Sequence, residues 1–267
     1  MSLLSVARKD FEDAIRSRWL IGLTVLFVVL FAGTAYLFRP MEGETLEANV
    51  ILSLFGQLFV GTLVPLIGLV IGYNAISGER ESGSLKLLLA LPHSRIDVVF
   101  GKVLGRAAAL GGAILVGFVL PAIVLAIGPL EFDPLAYVGY TLLVVVFAAV
   151  FVSIGVGFSA AASTQRRALA GAIGLYFLFV PLWNAATGGF LLLFAQFPDW
   201  FPLERAQEVA ELANPSTAFQ LVTDGFLAGQ LFAGETAGLQ VSAAAMLIVW
   251  LLAPPLLGAL KFQREDL

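Results

Sequence analysis

The chain is 267 residues long, 59% hydrophobic and only 13% charged, with mean hydropathy +0.94 and formal net charge −4. A soluble domain of this size carries about a quarter charged residues, so the composition excludes an ordinary water-soluble fold and points to an all-α integral membrane protein. There is no cysteine, which excludes disulfides and thiolate sites.

Residues 1–18 read as an N-terminal interfacial helix: Leu4, Ala7, Phe11, Ala14 and Ile15 share one stripe, and Lys9, Asp13, Arg16 and Ser17 oppose it. A cleaved signal peptide does not fit, because Asp10, Glu12 and Asp13 precede an apolar run too long for one. Six runs then follow at about 19–38, 50–76, 104–128, 136–162, 169–197 and 238–260. Each meets the roughly 20 residues that a helix needs to cross the hydrocarbon core, so six transmembrane helices are expected in one domain. The second run carries Gly61, Pro65, Gly68 and Gly72, the last two in the spacing that lets helices approach closely. Pro121 and Pro181 fall mid-span and Pro254-Pro255 near the end of the last span, where they bend or loosen a helix. The intramembrane polar residues are Gln57, Thr62, Asn74, Asn184 and Thr187, with no charge expected at mid-depth, which argues against a proton-coupled carrier. Gln57 and Asn184 either line a cavity or bond a neighbouring helix.

Between spans two and three lies a dense polar loop, 79–102. Glu79 and Glu81 stand in a first helical turn, Leu85, Leu88 and Leu89 form an exposed stripe beside Lys86, Pro92 ends the helix, and Ser94-Arg95-Ile96-Asp97 reads as a capping box. A short rigid helix over 79–91, presenting leucines edged by charge, suits a groove on another protein. The loop 199–235 holds two further helical stretches, Leu203 to Ala213, stopped by Asn214-Pro215, and a second opened by a Thr217/Gln220 box, which would pack back on the membrane or form a lid.

All Lys and Arg except Arg39 and Arg205 fall on the side that carries both termini and the 79–102 loop, whereas more than half of the carboxylates fall opposite. The positive-inside bias therefore places both termini and 79–102 in the cytoplasm of a multi-pass plasma-membrane protein. The acidic exterior fits cationic cargo, a saline habitat or plain loop solvation.

The run Glu79-Arg80-Glu81-Ser82-Gly83-Ser84-Leu85-Lys86, with Leu91-Pro92-His93-Ser94-Arg95 and Gly101-Lys102, resembles the signature of ABC type-2 transporter permeases, with Ser84 in place of the usual Thr. Its place between the second and third of six spans is similar too, as is the outer loop with Asn214-Pro215. Among that family the chain is most similar to the six-span group that includes the permease for nitrous-oxide reductase maturation. The resemblance implies a permease subunit and an exporter, with a cytoplasmic coupling helix that docks in a separate ATP-binding cassette ATPase. Glu79, Arg80, Glu81, Gly83, Leu85, Leu88, Pro92 and Arg95 are then the coupling residues. It also implies a homodimer, or a heterodimer with a related permease, whose contact or pathway would use Gln57, Gly68, Gly72 and Asn184. ATP and magnesium belong to the partner: Gly101-Lys102 lacks the preceding glycine and the following Ser or Thr of a phosphate loop, so this chain is not expected to be an enzyme or to carry a cofactor of its own. With His93 the one histidine and Met1, Met41 and Met246 the only methionines, no soft-metal cluster is available, and copper handling is not carried over. No nucleic-acid partner is indicated. Rival readings are a non-transporting mechanical or anchoring homologue, and a stand-alone channel or secondary carrier. An intramembrane hydrolase would need paired aspartates, a Ser/His pair or His-Glu-x-x-His, and has none of them.

Overall fold

The computed structural model describes residues 3–16, 18–38, 48–85, 94–127, 131–196 and 202–264, and no strand occurs among them. The helices are α1 (Leu3–Ile15), α2 (Arg18–Leu37), α3 (Ala48–Phe55), a π-helical turn (Gly56–Val60), α4 (Gly61–Gly72), α5 (Ser77–Glu81), α6 (Arg95–Gly117), α7 (Val119–Ile127), α8 (Pro134–Ala161), α9 (Gln165–Phe179), α10 (Trp183–Phe194), α11 (Leu203–Ala213), α12 (Pro215–Leu227) and α13 (Ala237–Gln263). Five helical stretches are long and apolar enough to cross a membrane: Leu20–Leu37, Ala48–Glu81, Arg95–Ile127, Pro134–Ala161 and Ala237–Gln263. A sixth candidate is the pair α9 and α10, bent by 61°. Apolar side chains such as Ile21, Val29, Leu192 and Leu257 stand more than half exposed, as a lipid-facing belt requires.

The prolines decide where these helices break. Pro181 has no amide to give the Phe177 carbonyl, and the Leu182 amide takes that carbonyl at 2.9 Å instead, which turns α9 into α10. Pro121 likewise follows the kink between α6 and α7, where the Tyr137 hydroxyl donates to the Phe118 carbonyl at 2.6 Å. Pro254-Pro255 leave α13 continuous. The Leu251 carbonyl, which Pro255 cannot serve, accepts instead from the Ser153 hydroxyl of α8.

The core centres on α8, which packs on α4, α6, α12 and α13 and is the most buried of the long helices. At one level Phe31, Phe55 and Phe118 form an aromatic cluster, with ring centroids 4.3 Å apart for Phe31–Phe55 and 5.1 Å for Phe31–Phe118. Gly68 and Gly72 do allow close approach, but within this chain. A Cβ on Gly72 would lie 2.7 Å from the Gly155 Cα of α8, and one on Gly68 would lie 2.7 Å from the Phe151 Cβ. Their assignment to a contact between two copies is corrected accordingly: both glycines face α8, and that space is filled.

On α1, Val6 and Ala7 are buried against Gly101 and Gly105 of α6, while Leu4 of the expected stripe is 68% exposed. Two further expectations change. α12 begins at Pro215 with Asn214 as its cap, and the Thr217 hydroxyl serves only to donate to the Asn214 carbonyl. Nor is α12 a lid: it is inserted among α8, α13 and α3, with Phe219 stacked on Phe147 at 4.1 Å.

The apex between α11 and α12 reaches half-way along the bundle. The Asn214 side chain donates to the Phe179 carbonyl at 2.8 Å, at the break between α9 and α10, and the Trp250 indole donates to the Ala213 carbonyl at 3.2 Å. Trp250 stands at the middle of α13, roughly 20 Å along the helix from Ala237 at about 1.5 Å per residue. Glu211, in the last turn of α11, therefore lies near mid-depth, where no charge was expected.

Candidate functional site

The polar loop lies at the end of the bundle that carries most of the cations, and its first turn is wired into the helices around it. α4 ends at Gly72, at its contact with Gly155, and the chain re-enters helix at Ser77. The Ser159 hydroxyl of α8 accepts the Ile76 amide at 3.0 Å and the Ser77 amide at 3.1 Å, so two amides at the start of α5 are held inside the protein.

Glu79 points into the bundle. Its Oε1 accepts from Lys102 Nζ at 2.7 Å, and Lys102 also pairs with Asp10 of α1 at 3.2 Å. Arg106 bonds the second Asp10 oxygen at 3.1 Å, the Asn74 side chain at 2.9 Å and the Ile71 carbonyl. The Lys102 side chain is only 4% exposed, and two carboxylates stand against it, as a buried cation requires. Glu79 Oε2 is buried with no hydrogen-bond partner among the described residues, which leaves the network acidic on that side. A 440 Å³ cavity adjoins it, lined by Asp13, Tyr73 and Leu20 as well as by the network itself.

Arg80 points to the opposite side of α5. One guanidinium nitrogen donates to the Ala162 carbonyl at 2.8 Å, at the C-terminal end of α8, where cations are favoured. Its guanidinium carbon lies 5.4 Å from the centre of the Phe262 ring, and that of Arg95 lies 4.8 Å from the same ring. Arg95 also donates to the Phe262 carbonyl. Phe262 is fully buried in the last turn of α13, so the two cations that bracket the loop meet on one aromatic ring. Glu81 accepts the Gln165 amide at 2.8 Å and so caps α9.

The structure thus brings Glu79, Arg80, Glu81 and Arg95 together and ties them to α1, α6, α8, α9 and α13. It corrects the reading of 79–91 as one helix. α5 ends at Glu81, Gly83 takes a positive φ of 75°, and helical backbone resumes at 84–85. It also corrects Leu85, which is 1% exposed and belongs to the core rather than to an exposed stripe. Leu88 and Pro92 lie outside the described residues. Past the loop, the expected capping box is present: the Ser94 hydroxyl accepts the Asp97 amide at 3.0 Å, and the Ser94 amide donates to the Asp97 carboxylate at 3.2 Å. Sequence reasoning missed Asp10, Lys102, Arg106 and Phe262. Lys102 and Arg106 had a signal, being cations one turn apart at the mouth of an apolar helix, but nothing local marks Phe262.

Of the remaining candidates, Gln57 is exposed on the π-helical turn and Asn184 is exposed on α10. Asn184 lines a separate cleft between α10, α11 and α12. Gln57 is not among the residues lining that cleft. Among the described residues there is no group of three or more His, Cys, Asp or Glu arranged to hold a metal ion.

Comparison with known proteins gives a family match over residues 4–267, to the model described as "ABC-2 family transporter protein". A Stutzerimonas stutzeri protein named "Probable ABC transporter permease protein NosY" is 30% identical over 277 aligned positions, covering 98% of each chain. A Pseudomonas aeruginosa protein of the same name is 34% identical over 197, covering 71% of this chain and 70% of that one.

Proposed function

Since the chain belongs to the ABC-2 family of transporter proteins and is a multi-pass membrane permease, we propose that it forms half of a transport pathway driven by a separate ATPase that docks on the 79–102 segment. The observation that carries this reading is the wiring of α5. Glu79, Arg80 and Glu81 each reach a different helix, so a force applied to this short turn is delivered to α1, α6, α8, α9 and α13 together. A loop that only solvated a turn would leave those charges in water.

In this reading the basic end is cytoplasmic, with both termini, α1 lies along the inner leaflet of the plasma membrane with Leu4 toward lipid, and the stretch past Leu85, with Leu88, enters a groove of the ATPase. ATP and magnesium are held by that partner, since this chain has no phosphate-loop motif. Two copies, or one copy and a related permease, enclose the pathway, with Gln57 and Asn184 facing it, and transport runs outward by analogy with the family.

The test is co-purification with a candidate ATP-binding cassette ATPase from the same organism, with hydrolysis measured in the complex. Glu79→Ala and Leu88→Asp are expected to abolish stimulation while membrane insertion continues. Normal association and normal stimulation in both variants would refute docking at this segment.

A further inference from the structure

A groove on the lipid-facing side of the bundle, between α9 and α13 with α8 as its floor, takes no part in the coupling network. It encloses about 530 Å³ and its walls are almost wholly apolar, with Phe158 of α8, Leu175 of α9 and Ala253 and Leu257 of α13 among them. Gly157 and Gly258 bring α8 and α13 into backbone contact beneath it, which fixes the floor. Leu257 stands 65% exposed along its rim.

Three observations identify what covers it. The groove is closed at mid-depth, where Trp250 meets Phe179 edge-on with ring centroids 5.2 Å apart and is held by its bond to the Ala213 carbonyl. A helix of another chain, about 10–12 Å across and running the full thickness of the membrane, does not fit a slot that stops half-way. The length is that of one leaflet. From Trp250 to Lys261 the slot follows α13 for roughly 16 Å, at about 1.5 Å per residue, and half of the hydrocarbon core is roughly 15 Å. Its far end is cationic. Lys261 is the one charged residue lining the groove among the described residues, and Arg264 stands one turn further on. Both are exposed, and neither makes a side-chain hydrogen bond or ion pair among the described residues.

We infer that the groove holds one acyl chain of an anionic phospholipid, taken from the leaflet at the basic end of the bundle, with Lys261 and Arg264 against its phosphate. A lysine at a helix end keeps its stem in hydrocarbon while its ammonium reaches the headgroups, and each such cation favours anionic over neutral lipid. With no carboxylate lining the groove, nothing in its walls offsets that preference. The assignment does not depend on the docking of an ATPase.

The test uses Trp250 as the reporter. The full-length chain, with Trp19, Trp183 and Trp200 replaced by Phe, is placed in phosphatidylcholine vesicles. A rising share of the lipid is then exchanged for phosphatidylglycerol, or for phosphatidylcholine, brominated near the ends of its chains. Brominated phosphatidylglycerol is expected to quench Trp250 at an about fivefold lower mole fraction than brominated phosphatidylcholine, the gain from about one cation at an anionic surface. Lys261→Gln/Arg264→Gln is expected to remove that preference and Lys261→Arg to keep it. Ala253→Phe, which narrows the slot, is expected to weaken quenching by both lipids; if that variant does not fold, the exposed charge variants decide. Equal quenching by the two lipids would show ordinary boundary lipid only and overturn the assignment. A preference that survives the double charge variant, or quenching unchanged in folded Ala253→Phe, would overturn it too. Quenching by neither lipid would show the slot covered by protein, with the same consequence.

Discussion

Replacing Lys102 with Met keeps the length and apolar stem of the side chain and deletes one charge from the most buried ion network in the described structure. Asp10 and Glu79 then face each other across a site whose side chains are 12% and 29% exposed, with one cation, Arg106, left for Asp10 and none for Glu79. Removing one partner of a buried pair costs about 3–5 kcal/mol, because the remaining charge stays desolvated. Two carboxylates share this loss here, but partial exposure of Glu79 lets water return, so about 3 kcal/mol is expected. Neutralising Glu79 as well, in Lys102→Met/Glu79→Gln, is expected to recover most of that loss, since Asp10 keeps Arg106 and no unpaired charge remains. The assay is reversible unfolding in mixed micelles. The internal control is Arg8–Glu12, an ion pair of similar length whose side chains are 81% and 45% exposed, where Glu12→Gln is expected to change nothing measurable. If Lys102→Met is as silent as Glu12→Gln, or the double variant is weaker than the single one, the network does not hold α1, α5 and α6 together.

Gly72→Leu should destabilise the chain severely, since even its Cβ would meet the α8 backbone at Gly155, whereas Gly174→Ala, with open space around it, should fold normally; expression and thermal midpoint decide between them. Asn214→Ala removes both the cap of α12 and the donor to the Phe179 carbonyl, and a loss of about 2 kcal/mol is expected by the same unfolding assay, larger than a cap alone gives. Phe262→Leu keeps an apolar side chain but removes the ring shared by Arg80 and Arg95, and should lower ATPase stimulation several-fold while Phe262→Tyr retains it; equal stimulation would show that α13 takes no part in coupling.

Much of the helix layout was legible because hydrophobic run length and terminal caps are local. The Ser94–Asp97 box opens α6, and Asp133-Pro134 opens α8 as a cap and first-turn proline should. The bend at Pro181 was legible as a weak point, but not its depth of 61°, which depends on Asn214 taking the Phe179 carbonyl from 35 residues away. The Gly-x-x-x-Gly pair announced a close helix contact without naming the partner, since α8 and a second copy leave the same mark in one sequence. In the loop, charge density drew attention to Glu79 and Arg80 while their direction was hidden. Glu79 and Arg80 look like solvent-facing charges until Lys102 and the carbonyls of α8 are set beside them. Reading 199–235 as surface likewise concealed Glu211, because a hairpin that dips into the bundle carries the same polar composition as one that lies on top.

The central claim is that the 79–102 segment is where a cytoplasmic ATPase takes hold. In this cysteine-free chain a single Cys at Ser84, just past the Gly83 turn, tests it directly. In intact cells an impermeant thiol reagent should leave Ser84→Cys unlabelled and label Glu208→Cys, and a short bifunctional crosslinker applied after permeabilisation should join position 84 to the ATPase. Labelling of Ser84→Cys from outside, or its failure to crosslink in a complex that hydrolyses ATP, would contradict the account, because a docking segment on the outer face could never meet an enzyme that uses cytoplasmic ATP.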